Sequence, residues 1–586
     1  MRQWMVAAKK ADFYAIAEKF HVDPVVARII RNREVIGEKN IRIYLGGNLS
    51  DLSDPHQMKD MDRLVEILAQ KIRKQVRIRI IGDYDVDGVT SSHLFLTALR
   101  RVGAKVDVVI PHRIQDGYGL SLHLLQQAKE DGVDTILTCD NGIAAIDEIA
   151  WAKAQKMTVL VTDHHAVPFE EHEGRRTEKK SLADAVVNPH QQDCGYPYKE
   201  LCGAGVAWNV IRVLYENYDM DKREAEDLLD FVAMATVCDV MSLTGENRIL
   251  VKEGLKRIRH TKNIGLQALM QACNVQPENI SAYHFGYVLG PCVNATGRLD
   301  TARHALRLFE TGQETEAEEI ARDLVDLNQE RKELTLQGVE MAKKLCEEGG
   351  YENDPVLVLF LPDVHESIAG LIAGRIREMY NRPVFVLTRG EEGVKGSGRS
   401  TENYSMYENM CGCAELFTKF GGHPMAAGLS LPEENVEKFR RKINENCPLT
   451  VEEVCPDIHI DMAMPVGYAS TELVHQFAFL EPFGKDNPSP LFADRNLSIS
   501  RMWLIGKNRN VLRMSVLSEY GQPVPVIFFG DVETLFAYFT EKFGQEEVEN
   551  ALHGRKNRIL FSMVYTAKID FYQGNENLQL EMKYYR

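Results

Sequence analysis

The sequence has no Cys-x-x-Cys pair, and its 11 cysteines are an odd number. That argues against a zinc ribbon and against a disulfide framework, and for a reducing cytosol. Long apolar runs are also missing: the most apolar stretch, Val356 to Leu361, is far too short to span a bilayer. The beginning, Met1-Arg-Gln-Trp-Met-Val-Ala-Ala-Lys-Lys10, reaches charge before any segment of signal-peptide length. The expectation is a soluble cytoplasmic protein with no membrane partner. Positive charge is in short supply, with 69 Lys and Arg against 85 Asp and Glu and a net charge of −16. A general basic coat for gripping nucleic acid is therefore excluded, although a local basic surface is not. Repeats and low-complexity tracts are absent. What is present is ordinary globular composition, 44% hydrophobic and 26% charged.

At about 150 residues per domain, 586 residues suggest about four domains. Residues 1 to about 70 read as short helices and turns, broken at Pro24 and Gly46-Gly47. Val76-Arg-Ile-Arg-Ile-Ile81 then reads as a strand, followed by a helix over Thr90 to Arg101. Further strands are expected at 105–110, 134–138, 157–162 and 184–187, with helices between them. Alternation of this kind predicts an α/β fold with a mainly parallel sheet, whose ligands bind beyond the carboxyl ends of the strands. A long amphipathic helix is expected from about Glu316 to Glu347, and its length and charge favour a strut between domains. A second α/β unit starts near Pro355. Beyond Cys455-Pro456 the chain shows short strand patterns spaced as in a small β-barrel or sandwich.

Acidic residues gather at the strand ends. Gly82-Asp-Tyr-Asp-Val-Asp-Gly88 places Asp83, Asp85 and Asp87 at alternate positions, which in an extended segment point the same way. Asp140 follows one strand, Asp163-His164-His165 follow another, and Asp239 ends a helix. Each alone has a bland explanation as a turn former or cap. Together they suit Mg²⁺ or Mn²⁺ rather than structural zinc. Several carboxylates can hold two cations ~3.5–4 Å apart, the arrangement for hydrolysing a phosphodiester or phosphoanhydride.

The ordered segments Asp83-Tyr-Asp-Val-Asp-Gly88, Cys139-Asp-Asn-Gly142, Asp163-His-His165 and Cys238-Asp-Val-Met241 resemble the four motifs of the DHH phosphoesterase superfamily. Pro111-His-Arg-Ile-Gln-Asp-Gly-Tyr-Gly119, Asn294-Ala-Thr-Gly-Arg-Leu299, Gly396-Ser-Gly-Arg-Ser400 and Gly421-Gly-His-Pro-Met-Ala-Ala-Gly428 narrow the resemblance to the RecJ family of single-stranded-DNA exonucleases, over essentially the whole chain. The resemblance implies an N-terminal helical region (1–70), a parallel-sheet DHH domain (71–310), a connecting helix (311–350), an α/β DHH-associated domain (351–450) and a C-terminal β-barrel of OB-fold type (456–586). It implies 5′→3′ degradation of single-stranded DNA to mononucleotides in recombination and repair, with two Mn²⁺ or Mg²⁺ ions per active site.

The resemblance also carries residue roles. Asp85, Asp87, Asp140, His164 and Asp239 are the implied metal ligands, with Asp140 the expected bridge and Asp83 a further candidate. His165 and His423 are implied to face the substrate phosphate. Arg113, Arg298, Ser397 and Arg399 are implied to receive the 5′ end, and arginine forks suit phosphate. Val364-His-Glu-Ser-Ile-Ala-Gly370 keeps His365 but departs from the Trp-His flanks of some family members, so His365 is assigned no role. The family suggests a helicase and a single-strand-binding protein as partners of a monomeric enzyme. Two alternatives stand beside this reading. One is a DHH phosphodiesterase for oligonucleotides or cyclic dinucleotides; the other is a non-catalytic DHH scaffold for replication.

A DNA path is sought in the basic residues. Residues 1–110 hold 19 Lys and Arg against 14 Asp and Glu. Lys71, Arg73, Lys74, Arg77 and Arg79 make a candidate steering surface. In the C-terminal barrel, Arg501, Lys507, Arg509 and Arg513 accompany Trp503 and Phe528, a combination suited to stacking bases in a charged groove.

Overall fold

The computed structural model describes residues 3–113, 116, 119–172, 175–390, 393–506, 510–572 and 574–586. Ile114, Gln115, Gly117 and Tyr118 of the Pro111–Gly119 motif lie outside the described residues, as do Lys507 and Arg509. Two compact units result. One comprises residues 52–241 and 249–456; the other comprises residues 3–51, 242–248 and 457–586.

The first unit is built on a five-stranded sheet in the order Lys105–Val109, Arg77–Ile81, Thr135–Cys139, Thr158–Thr162, Ala185–Val187, parallel throughout. Ile78, Ile80, Ile136, Leu137, Val159 and Leu160 are fully buried, as the β-branched runs predict for a sheet covered on both faces. The second strand pairs on one side of the first and the third on the other. The chain therefore reverses direction across the sheet at Arg77–Ile81, leaving a crevice at the carboxyl ends, where ligands bind in such folds.

A second five-stranded sheet in the same unit runs Lys419–His423, Ala426–Leu431, Gly393–Arg399, Val384–Gly390, Leu357–Phe360. Only the last pair is parallel. Three of these strands are rich in glycine, which hides them from a propensity reading. The glycines are sterically required at several points. A Cβ on Gly398 would lie 2.3 Å from Met406 Sδ, and one on Gly396 would lie 2.4 Å from Leu387 Cδ2.

The expected long helix is Glu314–Glu348, and it is more than a strut. Ala317, Ile320, Ala321 and Leu324 are buried in its first half. Val339, Ala342 and Cys346 enter the core formed by Leu357, Leu359, Ile368, Ile372 and Ile376. Its charged residues occupy the remaining face, which is why the sequence reads as solvent-exposed.

In the second unit, Phe492–Ile505, Val511–Leu517, Pro523–Phe528, Asn575–Tyr585 and Leu560–Tyr572 pair in turn, and the last returns to the first. The result is a closed five-stranded barrel, with helices Val532–Phe543 and Gln545–Leu552 in the connection from Pro523–Phe528 to Leu560–Tyr572. Residues 1–70 are not one region. Val25, Val26, Ile29, Ile30, Ile41 and Tyr44 share a core with Leu473, Phe492, Met514 and Tyr565. Strand Trp4–Val6 pairs with Ile458–Ile460. Helix Met61–Arg73 instead belongs to the first unit.

Candidate metal centre and anion pocket

The helix expected at Thr90 begins at Val86 (Val86–Arg101), so the premise of an extended Asp83–Asp87 segment is corrected. Asp83 lies in the loop after the strand, and Asp85 is the N-cap, its Oδ1 accepting the Gly88 N–H at 3.0 Å. Asp87 sits in the first helical turn and is 1% exposed. The three converge through this turn rather than through strand alternation. A Cβ on Gly88 would lie 2.4 Å from Asp83 O, so glycine lets the helix start pack onto the Asp83 backbone.

Asp140 follows Thr135–Cys139 with φ 62°, a left-handed conformation that turns its carboxylate across the crevice. His164 follows Thr158–Thr162, and Asp239 caps the end of helix Leu229–Cys238. Three sets of ligand atoms lie within 4.8 Å of one another: Asp83, Asp85 and Asp140; Asp87, His164 and Asp239; and Asp140, His164 and His165. Asp140 is thus shared between the two ends of the cluster. His164 Nε2 is 3.1 Å from Asp140 Oδ1, 3.6 Å from Asp239 Oδ2 and 3.7 Å from Asp87 Oδ2.

The electrostatics fit divalent cations. Burial pushes the Asp140 carboxyl well above the usual range, and the charges of Asp87, Asp85 and Asp239 add to this. Asp83 is raised likewise by burial and by Asp85. Burial also lowers His164, leaving it a neutral imidazole able to ligate. Asp83 Oδ1 and His164 Nε2 are buried without hydrogen-bond partners. Such groups are costly unless a ligand satisfies them.

Two supporting features were not foreseen as site residues. The N–H groups of Gly203 and Ala204, at the start of helix Gly203–Asn217, donate to Asp87 at 2.6 and 2.7 Å. A helix N-terminus thus holds that carboxylate. A Cβ on Gly203 would meet Asp140 Cβ at 2.6 Å, so the glycine at this helix start was a legible signal. Asp163 accepts the N–H groups of His164 and His165 and the His165 ring Nδ1–H, the last at 2.8 Å, while its Oδ2 accepts Ile143 N–H. Against the effect of burial, the bond to Asp163 and the field of Asp163 and Asp239 raise His165 to about 9.

The four predicted 5′-end residues meet in one cavity of about 550 Å³, whose lining includes Tyr84, Arg113, Arg298, Gly370, Ser397 and Arg399. Tyr84 lies between Asp83 and Asp85 in the chain, so the cavity adjoins the carboxylates. Arg113 stacks over the Tyr84 ring at 4.9 Å. Arg298 donates to Ser367 O at 2.7 Å, and Arg399 donates to Gly398 O at 2.7 Å. Burial, together with Arg113, Arg331 and Arg399, lowers Arg298 to about 10. These arginines crowd each other and carry no carboxylate partner among the described residues, as a site for a bound anion requires. The Asn294–Leu299 motif backs the same loop: Asn294 Oδ1 accepts Val86 N–H, and Gly297 packs on Tyr84 O.

His423 is exposed at the end of strand Lys419–His423 and is not among the groups gathered at the carboxylates. His365 is the N-cap of helix Glu366–Tyr380 and accepts Ser367 N–H, a structural duty. The proposed basic steering surface is corrected at three of its five residues, while Arg73 and Lys74 are exposed. Lys71 pairs with Asp134, Arg77 with Asp107, and Arg79 with Asp107 and Asp131. Arg77 also lies at the start of its strand, away from the carboxyl end. Phe528 is buried in the barrel core, but Trp503 is half-buried between Arg501 and Arg513, 5.7 and 5.9 Å from its ring.

Comparison with known proteins agrees with this arrangement. The DHH family, N-terminal domain, matches residues 77–236, the DHHA1 domain matches residues 353–447, and the RecJ OB domain matches residues 460–584. The single-stranded-DNA-specific exonuclease RecJ of Haemophilus influenzae is 32% identical over 96% of this chain and 96% of its own length. The Bacillus subtilis protein of the same name is 33% identical over 87% of this chain, which spans only 63% of that longer relative. A crystal structure of exonuclease RecJ bound to manganese is 32% identical, with a TM-score of 0.56, covering 66% of this chain and 94% of that one. No helix among the described residues is long and apolar enough to cross a membrane.

Proposed function

Because this chain belongs to the RecJ family of single-stranded-DNA-specific exonucleases, we propose that it degrades its strand from the 5′ end to mononucleotides. The enzyme is a metal-dependent exonuclease of single-stranded DNA, taking Mn²⁺ or Mg²⁺. Asp83, Asp85 and Asp140 would hold one ion and Asp87, His164 and Asp239 the other, with Asp140 between them. Bound there, the two cations supply a hydroxide nucleophile and neutralise charge on the phosphate.

The chain's own residues do the rest. Arg113, Arg298, Ser397 and Arg399 receive the terminal 5′-phosphate and so set which end enters. His165, oriented by its Nδ1 hydrogen bond to Asp163, faces the scissile phosphate, and His423 approaches it from the second sheet. Each cut breaks the bond to the terminal nucleotide's 3′ oxygen. The shortened strand keeps a 5′-phosphate, which is the group the arginines are built to hold.

The observation that carries this reading is the arginine cavity adjoining a carboxylate cluster. Trp503 with Arg501 and Arg513 offers the barrel a stacking surface for bases. The match of residues 460–584 to the RecJ OB domain disfavours a cyclic-dinucleotide phosphodiesterase, and the assembled carboxylate and histidine cluster disfavours a non-catalytic scaffold. We extend the proposal to a monomer in the cytoplasm, where all eleven cysteines can stay free. A helicase and a single-strand-binding protein would be its partners in recombination and repair.

Purified protein with Mn²⁺ should shorten single-stranded DNA from the 5′ end and release mononucleotides. Cleavage confined to dinucleotides, or release from the 3′ end, would overturn the proposal.

A further inference from the structure

The arginine cavity is larger and more cationic than one phosphate needs. A phosphate occupies a few times the ~30 Å³ share of a water molecule, against about 550 Å³ here. The lining holds Arg113, Arg298, Arg399, Lys395 and Lys419 against one carboxylate, Glu366, a net charge of +4 from five cations and one anion. A terminal monophosphate carries about −2 at most.

The sheet orders these charges along a line. Lys395, Ser397 and Arg399 alternate on one strand and all face the cavity, so at ~3.3 Å per residue the Lys395 and Arg399 backbones are about 13 Å apart. Cross-strand pairing sets Lys419 beside Ser430, and Ser430 beside Lys395. One step nearer the arginines, Gly421 pairs with Gly428 and Gly428 with Ser397. A Cβ on Gly421 would meet nothing within 4 Å, and one on Gly428 only Gly396 O at 4.0 Å. The floor between the arginine end and the lysine end is therefore bare backbone.

From this we infer that the cavity accepts a 5′-terminal triphosphate, an inference that rests on the reading of this cavity as the 5′-end site. The α-phosphate sits on the arginines, and the outer phosphates lie over Gly421 and Gly428 toward Lys395, Ser430 and Lys419. Water oxygen bonds to the phosphorus of the first internucleotide linkage. The bond from that phosphorus to the terminal nucleotide's 3′ oxygen breaks, and a proton from the water ends on that oxygen. The first product is then a nucleoside triphosphate, and every later product is a monophosphate. The reaction class that supplies such ends is strand initiation from a nucleoside triphosphate.

The test uses the full-length enzyme with Mn²⁺ and one DNA oligonucleotide carrying a 5′-hydroxyl, monophosphate or triphosphate. The triphosphate end should be cut with a kcat/KM within about threefold of the monophosphate end, and the first product should be a nucleoside triphosphate. Lys395→Ala with Lys419→Ala should lower kcat/KM for the triphosphate substrate about tenfold more than for the monophosphate, the loss expected for charge-assisted bonds. Lys419→Glu alone should shift the ratio in the same direction, without disturbing the Lys395–Glu366 pair. A triphosphate end cut tenfold more slowly than a monophosphate, or a ratio unmoved by both variants, overturns the inference. Equal rates on hydroxyl and monophosphate ends would instead overturn the 5′-end site itself.

Discussion

Asp140, on a left-handed backbone, is where the two ends of the carboxylate cluster meet. On the proposed two-metal reading, in which Asp140 serves both ions, Asp140→Asn should cut turnover by at least about a hundredfold. Its affinity for single-stranded DNA should be largely kept; retained turnover would remove it from the metal centre. Asp163 is not itself a predicted ligand but accepts the backbone N–H groups of His164 and His165 and bonds the His165 ring. Asp163→Asn should lower kcat about 10–100-fold with Mn²⁺ affinity little changed, a split that calorimetry with parallel kinetics can read. His93 raises a different matter. It is buried against Phe231 and Phe309, and burial lowers it to about 3. A depressed folded value means that its stability contribution is present above about pH 6.5 and is lost as pH falls toward 3. At pH 5 that loss is about 2 kcal/mol, from ~1.4 kcal/mol per unit over 1.5 units. His93→Leu should therefore flatten the fall of Tm between pH 7 and pH 4, and an unchanged slope would reject this account.

Elements reach the site by close backbone approach. The helix Gly290–Leu299 passes so near the Asp83–Asp85 loop that a Cβ on Gly297 would stand 2.4 Å from Tyr84 O. Backbone cannot swing aside as a flexible side chain can, so Gly297→Ala must displace the loop that carries two carboxylates. A shift of ~1 Å there can cost about a hundredfold in rate. The expected result is a large loss of kcat with only a modest loss of Tm; wild-type turnover would show that the loop has slack. The helix Glu314–Glu348 works differently, burying small residues such as Ala317, Ala321, Gly338 and Ala342 on one stripe. Small side chains allow close helix approach, and the long charged face keeps the element soluble along its length.

At the scale of the molecule, the chain's two ends share one hydrophobic core. Deleting residues 457–586 alone would strip cover from Val25, Val26, Ile29 and Ile30. That truncation should aggregate, whereas removing residues 1–51 as well should give a better-behaved protein with weaker single-strand affinity. Size-exclusion chromatography of the two truncated proteins distinguishes them, and equal behaviour would deny the shared core its importance. The net charge of −16 takes on meaning here too. Lys71, Arg77 and Arg79 near the first strand are neutralised by Asp107, Asp131 and Asp134, while the arginines of the cavity are left for an anion.

Much of this was written in the residues themselves. Periodicity determined the parallel sheet, and the ordered acidic motifs marked every carboxylate that the fold gathers, because chemistry at strand ends is confined to a few chain positions. The sequence also determined the strand-rich character of the C-terminal part through its alternating residues. Tertiary structure alone decided the rest. Asp83, Asp85 and Asp87 meet because a helix starts at Val86, a boundary that local propensity does not define. Glycine-rich strands formed where neighbouring side chains forbid a Cβ, and the N-terminal helices found their core partners more than 400 residues away. Hydrophobic pattern names the face an element must bury, but only the packed chain supplies the surface that buries it.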